Sequence, residues 1–181
     1  TVACVGELVV RALHTRKKNA RFAYIAPFRS QAKQIAWVYL KEFTQTFATS
    51  IRESDLRVEL PNGAWIQLYG SDNVDALRGL YFDGIIVDEV ADCRPNLWGE
   101  VLTPTLADRK GWAVMIGTPK GKNMFFEFHE MAQKSDKWFH MMLKASESGL
   151  LPPEEIENMR SIMTPEQFEQ EMECSFTSPV L

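Results

Sequence analysis

The feature that most constrains the fold is the run Phe82-Asp83-Gly84-Ile85-Ile86-Val87-Asp88-Glu89, an apolar segment that ends abruptly in two adjacent carboxylates. Its apolar residues are continuous rather than alternating with polar ones, which is typical of a strand buried on both faces of a parallel sheet. In open α/β sheets, ligands bind at the carboxyl ends of such strands. The run therefore predicts an α/β fold with Asp88 and Glu89 at the ligand-binding edge.

A carboxylate pair at that edge suits a hydrated magnesium ion and an attacking water. The pair resembles a Walker B motif, in which Asp88 binds Mg²⁺ through its water shell and Glu89 orients or deprotonates the water that attacks a γ-phosphate. The alternative is a strand followed by a helix, because the helix dipole favours acids in the first turn. Further motifs are needed to choose between the two.

Composition limits the class of protein. A chain of 181 residues with 45% hydrophobic content has the size of one compact domain. Its net charge of −4 argues against a protein that coats nucleic acid through bulk positive charge. Any contact with DNA must then be local or shared among subunits.

The cysteine and histidine patterns give no sign of a disulfide framework or a zinc site. Cys4, Cys93 and Cys174 are far apart without a CxxC pair, and the three histidines form no HExxH motif. The amino terminus lacks a signal-peptide pattern, and no apolar run is long enough to cross a bilayer. We expect a soluble protein of a reducing, intracellular compartment.

Periodicity and turn residues predict alternating strands and helices, as in a doubly wound fold. The Asn-Gly pair in Pro61-Asn62-Gly63 favours a hairpin turn, which we expect to decorate the edge of the sheet. Thr164-Pro165-Glu166-Gln167 has the capping residues of a helix start. The predicted helices are Val2–Leu13, Ser30–Thr46, Asn96–Ala107, Asn123–Gln133 and Phe168–Cys174, and the other predicted strands are Arg21–Ala26, Val58–Leu60, Ala64–Leu68, Trp112–Ile116 and Trp138–Leu143.

A second motif comes directly after the strand that ends at Ile116. The turn Gly117-Thr118-Pro119-Lys120-Gly121 exposes a hydroxyl at the same predicted sheet edge. The Thr118 hydroxyl could hydrogen-bond a γ-phosphate or the attacking water, and so report whether the phosphate is present. The alternative is a plain turn built from glycine and proline.

Together, Ala26-Pro27, Asp88-Glu89 and the Gly-Thr-Pro turn resemble, in order and spacing, the ATPase domain of tailed-phage large terminases. The resemblance covers residues 1–176 as one domain. It implies a RecA-like (ASCE) P-loop NTPase fold of three layers, with a mainly parallel sheet and a β-hairpin decoration. In that family the Asp-Glu pair is the Walker B element, and the Gly-Thr-Pro segment links hydrolysis to DNA movement.

The segment Asp75-Ala76-Leu77-Arg78-Gly79-Leu80 is similar to the family's Leu-Arg-Gly segment. There the arginine acts as a finger that reaches the ATP of the neighbouring subunit in a ring. A guanidinium in that position stabilises charge on the transferring phosphoryl group and accelerates hydrolysis by about 10³ or more. The resemblance makes Arg78 the candidate finger, and the alternative is a surface ion pair with Asp75 or Asp72.

The resemblance also predicts how the two ends of the chain relate to the family. The family has a phosphate loop of the form GxxxxGK[ST], and no such motif occurs in residues 1–181. Thr1 and the helix after it correspond to the residues that follow the Gly-Lys of that loop. The resemblance thus implies that Thr1 is a Mg²⁺ ligand and that a strand and the loop precede it. At the other end we expect residues 177–181 to begin a linker toward a nuclease domain, without which this chain should not cut DNA.

The function implied by the resemblance is that of a motor. It would couple hydrolysis of ATP, with Mg²⁺, to movement of double-stranded DNA into a procapsid. Its partners would be a portal protein, a small terminase subunit and further copies in a ring, in the cytoplasm of an infected or lysogenic bacterium. Lys120 and Lys122 could contact DNA phosphates, although such a pair is commonly just solvated.

Two other functions remain open from the sequence. A helicase-like, DNA-dependent ATPase shares the Asp-Glu strand and a hydroxyl-bearing motif on the next strand. A non-catalytic ring-assembly module would explain the absence of a phosphate loop from residues 1–181. The five tryptophans lie mostly within apolar patterns and are interpreted as core residues.

Overall fold

The computed structural model describes residues 1–177 and separates into two compact units, Thr1–Ile116 and a second unit that begins at Gly117. The first unit is built around one sheet of six strands: β1 Arg21–Ala26, β2 Ser50–Arg52, β3 Arg57–Glu59, β4 Trp65–Gly70, β5 Gly84–Val87 and β6 Trp112–Met115. Their order in the sheet is β2-β3-β4-β1-β5-β6. Strands β4, β1, β5 and β6 are parallel, whereas β2 and β3 form an antiparallel margin.

The predicted hairpin is β3–β4, and it is part of the sheet itself. Residue Ile66 of β4 pairs with Val58 on one side and with Phe22 of β1 on the other. The turn between the strands is fixed by Asn62, whose side chain accepts a hydrogen bond from the Ala64 amide and donates to the Ala12 carbonyl. The hairpin therefore joins the antiparallel margin to the parallel centre, and the margin gains a third strand, β2, that the sequence pattern did not predict.

Helices cover the sheet where the sequence predicted them. The first, α1 (Val2–His14), buries four apolar residues at helical spacing, Val5, Leu8, Val9 and Ala12. Arg11 and His14 lie in its last turn, where cations are favourable. The second helical segment includes a π-helical stretch around Trp37, whose ring is buried and whose Nε1 donates to Glu53. The helical segments of this unit are α1 Val2–His14, α2 Arg29–Ala32, the π segment Lys33–Trp37, α3 Val38–Thr44, the 3-10 segments Ser71–Leu77 and Val90–Asp92, the π segment Leu97–Leu102 and α4 Thr103–Ala107.

The strand predicted from the opening run is confirmed as β5. All four of its residues are buried, and it lies between β1 and β6. Asp83 and Asp88 flank it, and the amide of each donates to a carbonyl of the β1 chain, Arg21 and Ile25 respectively. The pairing with β1 therefore extends to both aspartates, and it fixes Asp83 at the amino end of the strand and Asp88 at its carboxyl end.

Asp83, at the amino end of β5, is an anchor for two loops. Its buried carboxylate accepts hydrogen bonds from the Arg21 amide and from Arg109, and it forms an ion pair with Lys17 at 3.2 Å. Burial raises the pKa of this carboxyl, but the bonds from Arg109, the Arg21 amide and Lys17 outweigh burial, so the pKa lies below its ordinary value of 3.8. The loops before β1 and before β6 are thus tied to one carboxylate.

The second unit is helical and contains a cluster of aromatic rings. Phe126 and His129 lie against Phe176, and His129 Nδ1 is 2.8 Å from Nε2 of His140. Its helices are α5 Met124–Gln133, α6 Ala145–Ser148, α7 Pro153–Ile162 and α8 Pro165–Glu171. The capping box at Thr164 and Gln167 is present, and Asn123 caps α5.

Two predictions for this unit need correction. The strand predicted at Trp138–Leu143 is wrong, because the segment has no strand partner within residues 1–177 and is irregular. Its alternation places Phe139, Met141 and Leu143 on the exposed side, so the pattern reflects an extended chain lying on the surface. The helix predicted to reach Cys174 ends at Glu171, and Cys174 has a positive φ of 55°. Apart from Thr177, the expected linker lies outside the described residues.

None of the helices in the part of the chain that the structure describes is long and apolar enough to cross a membrane.

A first prediction concerns Gly84, which pairs with Trp112 across β5 and β6. A Cβ at position 84 would overlap the Trp112 indole, so Gly84→Ala should lower the free energy of unfolding by about 1–3 kcal/mol. Gly99 is the matched control, because a Cβ there meets nothing within 4 Å and Ala is the better helix former. Urea unfolding of both variants checks this. Equal stability of the two would contradict the close contact.

A second prediction uses the lowered pKa of Asp83. A carboxyl with a lowered folded pKa contributes stability that is complete above its unfolded pKa, here 3.8, and is lost as the pH falls through the folded pKa. Asp83→Asn should therefore lower the free energy of unfolding at neutral pH by about 2–3 kcal/mol. The difference from the unsubstituted protein should shrink as unfolding is measured below pH 3.8. A constant difference would mean that packing, and not charge, is lost.

Candidate active site

Three hydrogen-bond donors converge on the carboxylate of Asp88, directly after β5. Oδ2 accepts from Thr1 Oγ1 at 2.6 Å and from Tyr24 Oη at 2.5 Å, and Oδ1 accepts from the Glu89 amide at 2.9 Å. The residue is 4% exposed. The structure thus brings together Thr1 and Asp88, two residues that are 87 positions apart and that the sequence assigned to one metal site.

Tyr24 is a member of this site that sequence reasoning missed. It lies on β1, one register position from the end of the pairing with β5, and its ring is buried. Burial raises the pKa of its phenol, and the hydrogen bond to Asp88 raises it further. The hydroxyl therefore remains a donor at neutral pH and fixes the orientation of the Asp88 carboxylate. A tyrosine in an otherwise apolar strand is a signal that could have been used, because a buried hydroxyl needs a partner.

Glu89 turns the chain away from the sheet. Its backbone is in the left-handed region, with φ 50° and ψ 50°, which costs a residue with a Cβ about 1–2 kcal/mol. The next amide, that of Val90, donates to the Ile116 carbonyl at the end of β6. Such a strained position is often found at functional sites. The turn keeps the Glu89 side chain half-buried beside Asp88 instead of continuing the strand.

The donor set at Asp88 fits a hydrated magnesium ion. The hydroxyl of Thr1 and the carboxylate of Asp88 are hard oxygen groups, and Mg²⁺ is held in proteins by one or two such groups and by waters. Thr1 is exposed, so its hydroxyl can exchange the hydrogen bond to Asp88 for a bond to a metal. Thr1 and Asp88 are therefore the residues of this chain that could hold the ion.

Two cysteines border the site without the properties of a nucleophile. Cys93 is buried and its Sγ lies 3.7 Å from the Asp88 carbonyl. Burial raises the pKa of its thiol to about 12, so the thiol stays protonated. Burial also raises the pKa of the Cys4 thiol, with Asp88 and Glu7 adding to the effect. Cys93 is therefore a buried packing residue next to Asp88, and Cys4 packs against the hydrophobic core.

Arg78 lies in the same unit, on the exposed surface, and its guanidinium is held by two carboxylates. Nε donates to Asp75 at 2.9 Å and Nη2 to Glu100 at 3.3 Å, while Asn96 donates to the same Glu100 oxygen. Within residues 1–177 Arg78 makes no bond to Asp88 or Glu89. The pairing with Asp75 is the alternative that the sequence left open, and the contact with Glu100 was not predicted.

Thr118 and the two lysines after it belong to the second unit. Thr118 is partly buried, and Lys120 is exposed. The Lys122 ammonium lies 5.6 Å from the centre of the Phe126 ring. Their assigned roles, a phosphate sensor and phosphate contacts, stay predictions.

Comparison with known proteins places the chain in a family. The family described as "Terminase large subunit, T4likevirus-type, N-terminal" matches residues 2–179. The large terminase subunit of Thermus phage G20c is 48% identical over 61 residues, which are 34% of this chain and 13% of that protein.

Solved structures agree in fold. The chain is similar to a variant of the large terminase ATPase domain of Thermus phage P74-26, with a TM-score of 0.77, 23% identity and coverage of 96% of this chain and 81% of the other. It is also similar to the large terminase of a thermophilic bacteriophage in complex with ADP, with a TM-score of 0.70, 15% identity and coverage of 96% and 44%. The predicted α/β, RecA-like fold is thereby confirmed. The chain spans less than half of the ADP-bound terminase and of the G20c protein.

The role of Tyr24 as a donor to Asp88 leads to a prediction. Tyr24→Phe removes one buried hydroxyl and leaves the ring in place, so the free energy of unfolding should fall by about 1–1.5 kcal/mol. Tyr39→Phe is the matched control, since the Tyr39 hydroxyl makes no hydrogen bond among the described residues, and it should change stability by less than about 0.5 kcal/mol. Chemical denaturation measures both. A Tyr24→Phe protein as stable as the control variant would argue against the bond.

Proposed function

Because this chain belongs to the family of the T4likevirus-type terminase large subunit, N-terminal part, we propose that it is the ATPase motor domain of a DNA-packaging terminase. In this proposal the domain couples hydrolysis of Mg-ATP to translocation of double-stranded DNA into a procapsid. The observation that carries it is the convergence of Thr1 and Tyr24 on Asp88, with Glu89 next to it at the carboxyl end of β5. The ADP complex of the similar bacteriophage terminase, in the same fold, supports nucleotide as the ligand.

The metal would be held by the Thr1 hydroxyl and, through water, by the Asp88 carboxylate. Bound there, Mg²⁺ would neutralise charge on the phosphates during phosphoryl transfer. Tyr24 donates to Oδ2 of Asp88 and the Glu89 amide donates to Oδ1, so these two bonds hold the carboxylate in one orientation. The orientation would be kept when the Thr1 hydroxyl exchanges its bond to Asp88 for a bond to the metal. The chain's own contribution is therefore a pre-oriented pair of hard oxygen groups.

Glu89 is the proposed catalytic base. Its carboxylate would accept a hydrogen bond and then a proton from the attacking water, which is the step that a general base accelerates by about 10²–10⁴. The left-handed backbone at Glu89 ends the strand directly after Asp88, and in this proposal the two adjacent carboxylates have different tasks. The Thr118 hydroxyl would contact the γ-phosphate or the same water. Thr118 would thereby report to the second unit, to which it belongs, whether the phosphate is present.

Arg78 is proposed to act in trans, on the nucleotide of a neighbouring subunit in a ring. Its two ion pairs are exposed, with 48% of the Arg78 side chain accessible, and exposed pairs stabilise by only about 0–1 kcal/mol. Asp75 and Glu100 can therefore release the guanidinium to a phosphate at small cost. They hold it on the surface, where a neighbour can be reached.

The remaining parts of the proposal concern the whole protein. Duplex DNA would be the substrate of translocation, and a portal protein and a small terminase subunit would be the partners, in the cytoplasm of a bacterial host. The chain spans only part of the terminase large subunits that it matches. These assignments therefore need the full-length large subunit for their test.

The proposal is tested by hydrolysis of Mg-ATP by the full-length protein and by two variants, alone and mixed. Glu89→Gln should lower turnover by about 10²-fold or more, and Arg78→Ala by about 10³-fold. A mixture of the two variants should recover part of the activity, because Arg78 of one subunit can serve the intact Glu89 of the next. Arg94→Ala, an exposed arginine outside the Asp75 and Glu100 contacts, is the control and should retain turnover.

Each component of the proposal has its own contrary result. Absence of turnover in the unsubstituted, folded protein with DNA and partners would favour a non-catalytic assembly module. Stimulation by single strands and not by blunt duplex would favour a helicase-like ATPase. Two variants that stay inactive when mixed, although each assembles with unsubstituted subunits, would exclude a trans role for Arg78.

A further inference from the structure

The first unit has a second polar edge, which the chemistry at Asp88 does not use. It is formed by the loop between α1 and β1 and the loop between α4 and β6. Five cations lie on these two loops, and we refer to them as the basic edge: Arg16, Lys17, Lys18, Arg109 and Lys110. Two acidic residues belong to this surface: Asp83, which is buried and directly precedes β5, and Asp108, which is exposed on the second loop.

The two loops of the basic edge are fastened to each other. Lys17 Nζ donates to the Arg109 carbonyl at 2.5 Å, and Arg109 Nη2 donates to the Lys18 carbonyl at 2.9 Å. The Tyr81 ring adds to the connection, since its hydroxyl donates to the Asn19 carbonyl and Arg109 lies 4.9 Å from its centre. The surface is thus held in place by contacts between loops that are about 90 residues apart in sequence.

Asp83 compensates only part of this positive charge. It pairs with Lys17 and Arg109 and leaves the other three cations facing solvent. Arg16, Lys18 and Lys110 are exposed and make no ion pair with any residue in the described range 1–177. A chain with a net charge of −4 therefore carries an excess of uncompensated positive charge on one small, ordered surface.

The position of this surface in the fold separates it from the catalytic site. Both loops enter the sheet at the amino ends of parallel strands, β1 and β6, whereas Asp88 lies just past the carboxyl end of β5 between them. The two sites therefore occupy opposite edges of one sheet. A polyanion at the basic edge would leave the groups around Asp88 free for their own ligand.

We propose that the basic edge binds the phosphate backbone of double-stranded DNA through Arg16, Lys18 and Lys110, with Lys17 and Arg109 holding the two loops together. Charge complementarity selects this partner, since duplex DNA carries one negative charge per about 1.7 Å of its axis and is bound through lysine and arginine. The overall negative charge of the chain requires such contacts to be local, and this surface is local. The inference rests on the proposed function, which makes duplex DNA the substrate.

The test is the salt dependence of binding to a short duplex, measured with the full-length large subunit in the absence of nucleotide. Lys18→Gln combined with Lys110→Gln should weaken binding to different duplex sequences alike. It should also lower the slope of log K against log salt by about 2, since each lost phosphate contact removes about 0.9. Lys33→Gln combined with Lys137→Gln removes the same charge from exposed lysines elsewhere, which likewise make no ion pair in the described part, and should leave the slope unchanged.

A second measurement keeps the result independent of folding. Lys18→Cys and Lys110→Cys, each carrying a short photo-crosslinker on the introduced thiol, should form adducts with the duplex, whereas Lys33→Cys should not. An unchanged slope in the Lys18 and Lys110 variant, or adducts at position 33 alone, would overturn the proposal and favour an acidic protein surface as the partner. Failure of the proposed function would give a different result: the unsubstituted protein would bind duplex but would not hydrolyse ATP.

Discussion

The parallel pairing of β1 with β5 is the interaction on which the rest of the first unit depends. It continues beyond the four buried residues of β5, because the amides of Asp83 and Asp88 both donate to carbonyls of the β1 chain. One buried ladder therefore fixes two aspartates at opposite ends of the same strand. Two polar centres of this unit are organised around these aspartates, the loop anchor around Asp83 and the candidate active site around Asp88.

The two aspartates differ in the charge of their partners. Asp83 is bonded to Arg109 and Lys17, whose positive charges compensate its own. Asp88 is bonded to two hydroxyls and an amide, which are neutral donors and leave the charge of the carboxylate uncompensated. A buried carboxylate with neutral donors is suited to a cation from outside the chain. Charge compensation thus distinguishes a structural aspartate from one available for a metal.

The sequence predicts the strand and the place of Asp88 at its carboxyl end, but neither the anchoring role of Asp83 nor this difference in partners. Continuous apolar residues from Gly84 to Val87 are sufficient to predict a buried strand, and its carboxyl end indicates where a ligand binds. Lys17 and Arg109, which pair with Asp83, and Tyr24, which donates to Asp88, are distant in sequence, and no local pattern relates their positions to β5. For the same reason the sequence did not predict the contact between Glu100 and Arg78, which are 22 positions apart. At Trp138–Leu143 the alternation is genuine, but a strand also needs a partner, which the pattern does not supply.

The separation of the two edges constrains how a motor built on this unit could work. Asp83 and Asp88 are five positions apart on extended chain, which corresponds to roughly 17 Å. A DNA backbone at the basic edge would be too far from Glu89 to be moved by a side chain that contacts both. Force would have to pass through the sheet as a rigid body, or through the second unit, which begins at Gly117 and contains Thr118. The fastening of Lys17 and Arg109 to Asp83 is consistent with the first route, because it joins the basic edge to the strand that carries Asp88.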